Sequence, residues 1–150
     1  MRKIHINNDD NWATPPWLYD KLNEQYKFDF DPCPYCEKGA EIVDGLTIEW
    51  GQSNYVNPPY SLKLKEAFVL KGISEMKKGK LCIFLLPVST STKLFHEHIA
   101  PNQTSITFVK GRIKFGKLDE FGRFYLPTNS KGKTQSGTKD SMIVVFDGRC

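Results

Sequence analysis

Apolar and polar positions alternate along this chain at a period that switches repeatedly between helix and strand. Residues 1–11 are polar, with Asn7-Asn8-Asp9-Asp10-Asn11 offering nothing to bury, and read as a loosely held terminus. Thr14 followed by Pro15 is a helix start, the hydroxyl as N-cap and proline in the first turn; Leu18, Leu22 and Tyr26 then line one face of a short helix reaching about Gln25. Phe28-Asp29-Phe30-Asp31 alternates as a strand does until Pro32 stops it, and Asn54-Tyr55-Val56 predicts a second short strand. Behind Ser61 as a cap, Leu64, Phe68, Ile73 and Met76 fall on one flank of a helix ending at Lys77-Lys78-Gly79, with Lys63, Lys65 and Lys71 as its solvated face. Leu81 to Leu86 is a continuous apolar run, the mark of a central parallel strand covered on both sides, with Cys82 a core thiol. Thr92 can start another helix through Leu94, Phe95 and Ile99, closed by Pro101. Ser105 to Val109, Ile113 to Phe115 and Met142 to Phe146 read as strands, and residues 116–141 form a polar insertion.

Strands alternating with helices predict one α/β domain over residues 12–150, Rossmann-like, with a mostly parallel central sheet and an antiparallel strand near the carboxyl terminus. Asp44-Gly45-Leu46 begins only ten positions after Pro34, too few for a full unit of the usual sheet, so the fold is expected to be abbreviated. In such sheets ligands bind beyond the carboxyl ends of the strands, which places Asp31 at a pocket.

At 150 residues with 39% hydrophobic content the chain has material for a single core and no room for a second folded recognition domain. The net charge of +4 hides an asymmetry: five Lys and Arg stand against ten Asp and Glu over residues 1–62, and sixteen against seven over 63–150. One acidic and one basic part suit a protein that lays one side on a polyanion. No apolar run approaches a membrane span and no signal-peptide core is present, so a cytoplasmic location and free thiols are expected. Cys33-Pro34-Tyr35-Cys36 is one metal knuckle without a second; His96 and His98 sit two apart on a helix and point away from each other, so no metal is assigned.

The stretch with the clearest chemistry is Asn57-Pro58-Pro59-Tyr60. Two prolines fix two φ angles and remove two N–H donors, leaving the Asn57 carboxamide and the neighbouring carbonyls as a rigid acceptor cradle; the aromatic ring can lie on a planar, amine-bearing group held there. The order Trp12-Ala13-Thr14-Pro15-Pro16-Trp17, Phe30-Asp31-Pro32-Cys33, Asp44-Gly45-Leu46 with Trp50, Asn57 to Ser61, Leu85-Leu86-Pro87 and Gly111-Arg112-Ile113-Lys114-Phe115 resembles the phage-type DNA adenine-N6 methyltransferases, from about Asp10 to Phe146.

That resemblance implies a class I methyltransferase fold, S-adenosyl-L-methionine as cofactor, and DNA as partner, with the target adenine flipped or single-stranded and its N6 amine held by Asn57, Pro58, Pro59 and Tyr60. It implies cofactor contacts at Trp12, Thr14, Pro15, Asp31, Pro32, Cys33 and Asp44. The glycine-rich first motif usual in related families is absent, the only glycine of that loop being Gly39. Lys110, Arg112, Lys114, Arg123, Lys131 and Lys133 are the candidate nucleic-acid contacts; residues 116–141 read equally as a flexible hairpin insertion and as a DNA-contacting loop. Two other functions stay open at this level: a methyltransferase acting on RNA bases or a protein glutamine amide, and a non-catalytic nucleic-acid binder built on a Cys33/Cys36 zinc knuckle. Oligomeric state leaves no mark in the sequence.

Overall fold

The computed structural model describes residues 3–5, 12–35, 41–132 and 139–149. The apolar run at Leu81 to Leu86 becomes the axis of the fold, strand β4 (Leu81–Pro87), six consecutive residues of which are buried. On one side β3 (Ser53–Val56) pairs with it in parallel; on the other β8 (Ser141–Asp147) pairs antiparallel along its whole length, and β5 (Ser105–Phe108) pairs antiparallel with β8. The order β3-β4-β8-β5 is thus a mixed sheet in which only β8 runs against the others. The closing strand is antiparallel as expected, and it inserts between β4 and β5.

Beyond β3 the sheet is extended by Phe30, bridged in parallel to Asn54, with the Tyr55 N–H donating to the Phe30 carbonyl at 3.1 Å. The strand expected over Phe28 to Asp31 is reduced to this single bridge. Asp29 uses its side chain on the Gln52 and Ser53 N–H groups, and Pro32 ends the ladder.

The period of two along β4 sorts its side chains between two helix layers. Cys82, Phe84 and Leu86 meet Phe68, Val69 and Ile73 of α2 (Leu62–Met76), together with Leu94 and Ile99. Leu81, Ile83 and Leu85 meet Leu18 and Leu22 of α1 (Pro16–Tyr26), together with Tyr55 and Ile113. Each aliphatic side chain so enclosed stabilises the fold by about 1.5–3 kcal/mol.

Several local expectations change. α1 begins at Pro16 with Pro15 at the N-cap and no side-chain cap, because the Thr14 hydroxyl turns instead to Tyr55 and Asn57. Ser61 holds the N-cap position of α2 without a side-chain bond. Leu94–Ile99 is π-helical before a last turn, α3 (Ala100–Asn102), so Pro101 sits within that turn. Ile113 to Phe115 is not a strand: Ile113 plugs the core while the backbone runs on to pair Gly116 with Ala13. Residues Lys3–His5 of the terminus expected to be loose form β1, antiparallel to β2 (Glu41–Val43). The insertion is a hairpin at its base, β6 (Lys117–Leu118) against β7 (Phe124–Tyr125). Gly116 is required there, since a Cβ would lie 2.3 Å from the Tyr125 carbonyl oxygen. Among the described residues no helix is long and apolar enough to cross a membrane.

One buried charge organises the underside of the sheet. Glu75 on α2 is fully buried, accepts from the Trp50 backbone N–H at 2.9 Å, and is paired with Lys71, Lys78 and Lys80 at 3.2 to 3.3 Å. Lys80, itself buried, also donates to the Trp50 carbonyl at 2.7 Å. Lys71 is therefore an ion-pair partner and not simply part of a solvated face. Burial pushes the Glu75 carboxyl up, but the Trp50 N–H and the three ammonium groups outweigh it and bring it down to about 2. Its contribution is present above the ordinary value of 4.5 and is lost as pH falls through about 2. Glu75→Ala leaves the Lys80 charge buried without its carboxylate and is expected to cost roughly 3–5 kcal/mol in denaturant unfolding. An unchanged unfolding midpoint would contradict this role.

Candidate active site

Because the Phe30 segment, β3 and β4 run in the same direction, their carboxyl ends bring Asp31, Asn57 and Pro87 to one edge of the sheet. Asn57 follows directly on β3, and Pro58 and Pro59 behind it are buried, which makes the turn rigid. The Asn57 Nδ2 donates to the Trp12 carbonyl at 3.1 Å and to Thr14 Oγ1 at 3.3 Å. A carbonyl can only accept, so the amide nitrogen must face Trp12 and Oδ1 faces the other way. Tyr60 is 39% exposed and stands edge-on to Phe115, ring centroids 5.8 Å apart. It is therefore a half-open ring at the rim and not a core plug, although desolvation still raises its phenol.

The two acidic loops pack against each other. A Cβ on Gly45 would lie 2.1 Å from the Pro32 carbonyl oxygen, so only glycine allows the Asp44-Gly45-Leu46 turn to close on Asp31-Pro32-Cys33. Trp50 ties that turn down, its indole N–H donating to the Gly45 carbonyl at 2.7 Å. Asp44 is fully buried and accepts from the Leu46 N–H at 2.8 Å, while its carbonyl takes the Thr47 hydroxyl at 3.1 Å. Asp31 Oδ1 accepts from the Cys33 N–H at 2.9 Å. Desolvation raises the Asp31 carboxyl to about 7 despite that bond, and no basic side chain among the described residues pairs with it. An acid held near neutrality at the mouth of a sheet is matched to a cationic ligand. Cys33 is a buried thiol, Cys36 lies outside the described residues, and among the described residues no three His, Cys, Asp or Glu side chains cluster as a metal site.

Trp12, Thr14 and Pro15 reach this edge because Ala13 bridges Gly116, with N–H···O distances of 2.8 and 3.1 Å. Lys117, buried at the base of the hairpin, places its Nζ 4.0 Å from the centre of the Trp12 ring, a cation–π contact that the sequence does not signal. Tyr55 also escapes the sequence-based expectations; its hydroxyl meets Thr14 Oγ1 and its ring packs against Tyr19 and Phe28, both at 5.2 Å. Its only sequence signal is a tyrosine two residues before the Asn-Pro-Pro turn. Of the candidate nucleic-acid residues, Lys110 and Lys114 are exposed, Arg112 pairs with Asp140 at 3.6 Å, and Arg123 pairs with Asp119 at 3.0 Å. The Arg123 guanidinium also lies over the exposed Phe121 ring at the hairpin turn. Lys131 is exposed, and Lys133 lies outside the described residues.

Comparison with known proteins bears on the whole chain. The family model described as DNA N-6-adenine-methyltransferase (Dam) matches residues 2–149. A DNA N-6-adenine-methyltransferase of Haemophilus phage HP1 is 29% identical over 149 residues, covering 92% of this chain and 79% of the phage protein. The match over nearly every residue establishes that this chain belongs to the DNA N-6-adenine-methyltransferase (Dam) family.

Proposed function

We propose that this adenine-specific DNA methyltransferase takes its methyl group from S-adenosylmethionine and receives the target adenine, flipped from the duplex or already single-stranded, against Asn57, Pro58, Pro59 and Tyr60. The observation that carries the reading is the locked carboxamide: both amide hydrogens are committed to Trp12 and Thr14, so Asn57 offers the crevice an acceptor. The exocyclic nitrogen of adenine is a poor nucleophile because its lone pair is delocalised into the ring. Asn57 Oδ1 and the Pro58 carbonyl each accept one N6 hydrogen, which favours the form with the pair localised on nitrogen. Tyr60, braced edge-on by Phe115, supplies a face for the base to stack on. None of this can reach an amine inside a paired duplex, so the base must be extruded.

The residues at the edge fit the cofactor. Asp31, which has no cationic partner among the described residues, would receive an ammonium group; Trp12, Thr14, Pro15, Pro32 and Cys33 would be further contacts, and the Asp44 turn would hold the nucleoside end. S-adenosylmethionine supplies an electrophilic methyl when bound. The parallel run of the Phe30 segment, β3 and β4, with these groups at its carboxyl end, supports a Rossmann-like class I arrangement for residues 12–150. Lys110, Arg112, Lys114, Arg123 and Lys131 are the candidate DNA contacts, with Lys133, outside the described residues, as a further one.

Transfer of labelled methyl to DNA, RNA and protein in parallel tests the reading: label in N6-methyladenine of DNA is expected, and label confined to RNA or protein would overturn it. Asn57→Ala is expected to lower turnover by about 100-fold, as loss of one aligned polar group does at other sites, with cofactor affinity nearly intact by calorimetry. Near wild-type turnover would remove Asn57 from the chemistry.

Asp31 makes cofactor binding pH-dependent. Its carboxyl is raised, so the neutral form contributes stability that is fully present below about 3.8 and lost as pH rises through about 7. A cationic ligand binds the ionised form, so affinity should climb about tenfold per pH unit below 7 and level off above it, with a proton released on binding. Asp31→Asn should bind weakly and without that slope. A flat profile in the wild type would place the ammonium elsewhere.

DNA affinity should fall steeply with salt, and Lys114→Ala, Arg123→Ala and Lys131→Ala together should lower the slope of log affinity against log salt by about 0.9 for each phosphate that is no longer neutralised. An unaltered slope in filter binding would make the hairpin an insertion without a DNA role.

A further inference from the structure

Among the described residues, the hydrogen-bond donors and acceptors around Thr14 point to a residue that the proposed function does not use. Tyr55 is 2% exposed, and its hydroxyl meets a single polar partner among the described residues, Thr14 Oγ1. A buried phenol that fails to donate forfeits about 1–3 kcal/mol, so the Tyr55 O–H donates to Thr14 and not the reverse. Thr14 Oγ1 also accepts from Asn57 Nδ2, which occupies both of its lone pairs and directs its own hydrogen away from the two. The other amide hydrogen of Asn57 goes to the Trp12 carbonyl. Two valences are left over at the crevice: the Thr14 hydrogen, as a donor, and Asn57 Oδ1, as an acceptor.

We propose that Tyr55 is a positioning residue for methyl transfer. By donating to Thr14 it sets the direction of every bond in the chain from Tyr55 through Thr14 and Asn57 to Trp12, and so keeps the carboxamide oxygen toward the target amine. Without the phenol, Thr14 is free to turn its hydrogen onto Asn57 Oδ1. That rotates the amide nitrogen outward, and a donor then faces a donor where the amine should bind. Trp12 opposes the flip by losing its hydrogen bond, so the loss should be partial. The Tyr55 ring has its own reason to stay in place, since Tyr19 and Phe28 pack on it. The inference rests on the proposed role of Asn57 and adds a residue that touches neither substrate nor cofactor.

Tyr55→Phe keeps the ring and deletes the donor, and it should lower kcat about five- to tenfold with the KM for DNA and the melting temperature close to wild type. Thr14→Ser retains the hydroxyl and should have a higher kcat than Thr14→Val. Thr14→Val should lose as much as Tyr55→Phe or more, and the double variant should be no slower than Thr14→Val alone, because the chain is broken only once. In the cofactor-free protein, the Asn57 side-chain amide protons, assigned by their disappearance in Asn57→Ala, should exchange with water faster in Tyr55→Phe. Wild-type kcat and unchanged amide exchange in Tyr55→Phe would overturn the proposal, as would losses that multiply independently in the double variant. A kcat loss that tracks a fall in melting temperature would reassign Tyr55 to the core. If the wild type transfers no methyl to DNA, the proposed function fails; the amide exchange still decides whether Tyr55 holds Asn57.

Discussion

The two hydrogen bonds donated by the Asn57 amide nitrogen are the constraint on which the site depends. They tie the segment Trp12 to Thr14, distant in sequence, across the end of β3, and they decide which end of the carboxamide faces outward. The bridge between Ala13 and Gly116 holds that segment beside the turn, and it in turn needs a glycine beneath the Tyr125 carbonyl. The hairpin base, the amino-terminal segment and the Asn-Pro-Pro-Tyr turn are therefore one assembly. Phe115, one residue before Gly116, completes it by bracing Tyr60.

The acidic half of the site is held from below by a different chain of contacts. Glu75 and Lys80 clamp the Trp50 backbone, the Trp50 indole holds Gly45, and Gly45 sits against the Pro32 carbonyl next to Asp31. A carboxyl with a raised proton affinity is costly to keep, and it persists here because the Cys33 N–H and the packed Pro32–Gly45 contact hold the half-buried Asp31 in place. The same rigidity makes it responsive to a cationic ligand, which offsets in the complex what burial costs in the free protein.

How much of this could be read from residues alone follows the range of the interactions. The run from Leu81 to Leu86, the amphipathic flank around Phe68 and Ile73, and the antiparallel Met142 to Phe146 are local patterns, and each became the element expected. Asn57-Pro58-Pro59-Tyr60 is legible for the same reason: its rigidity is written in two adjacent prolines. Thr14 reads falsely as a helix cap because a Thr-Pro pair signals a cap locally, while its real partners lie 41 and 43 residues away. Glu75 and Lys117 could not be read as buried, since a charged side chain on an apolar flank is expected in solvent until its partners are known. Ile113 to Phe115 has strand composition, yet it joins no ladder, because Ile113 turns into the core and the backbone runs on to pair Gly116 with Ala13.

The central claim is that position 57 works as an acceptor whose orientation is fixed by its neighbours. Single-turnover methyl transfer to a DNA oligonucleotide, compared among the wild type, Asn57→Asp and Asn57→Leu, tests it directly. Aspartate keeps an outward oxygen but loses the donors to Trp12 and Thr14, whereas leucine keeps the approximate shape and offers no acceptor. The account predicts rates that fall in the order wild type, Asn57→Asp, Asn57→Leu, with the leucine variant slowest by about 100-fold or more against the wild type. A leucine variant as fast as the aspartate one would contradict it.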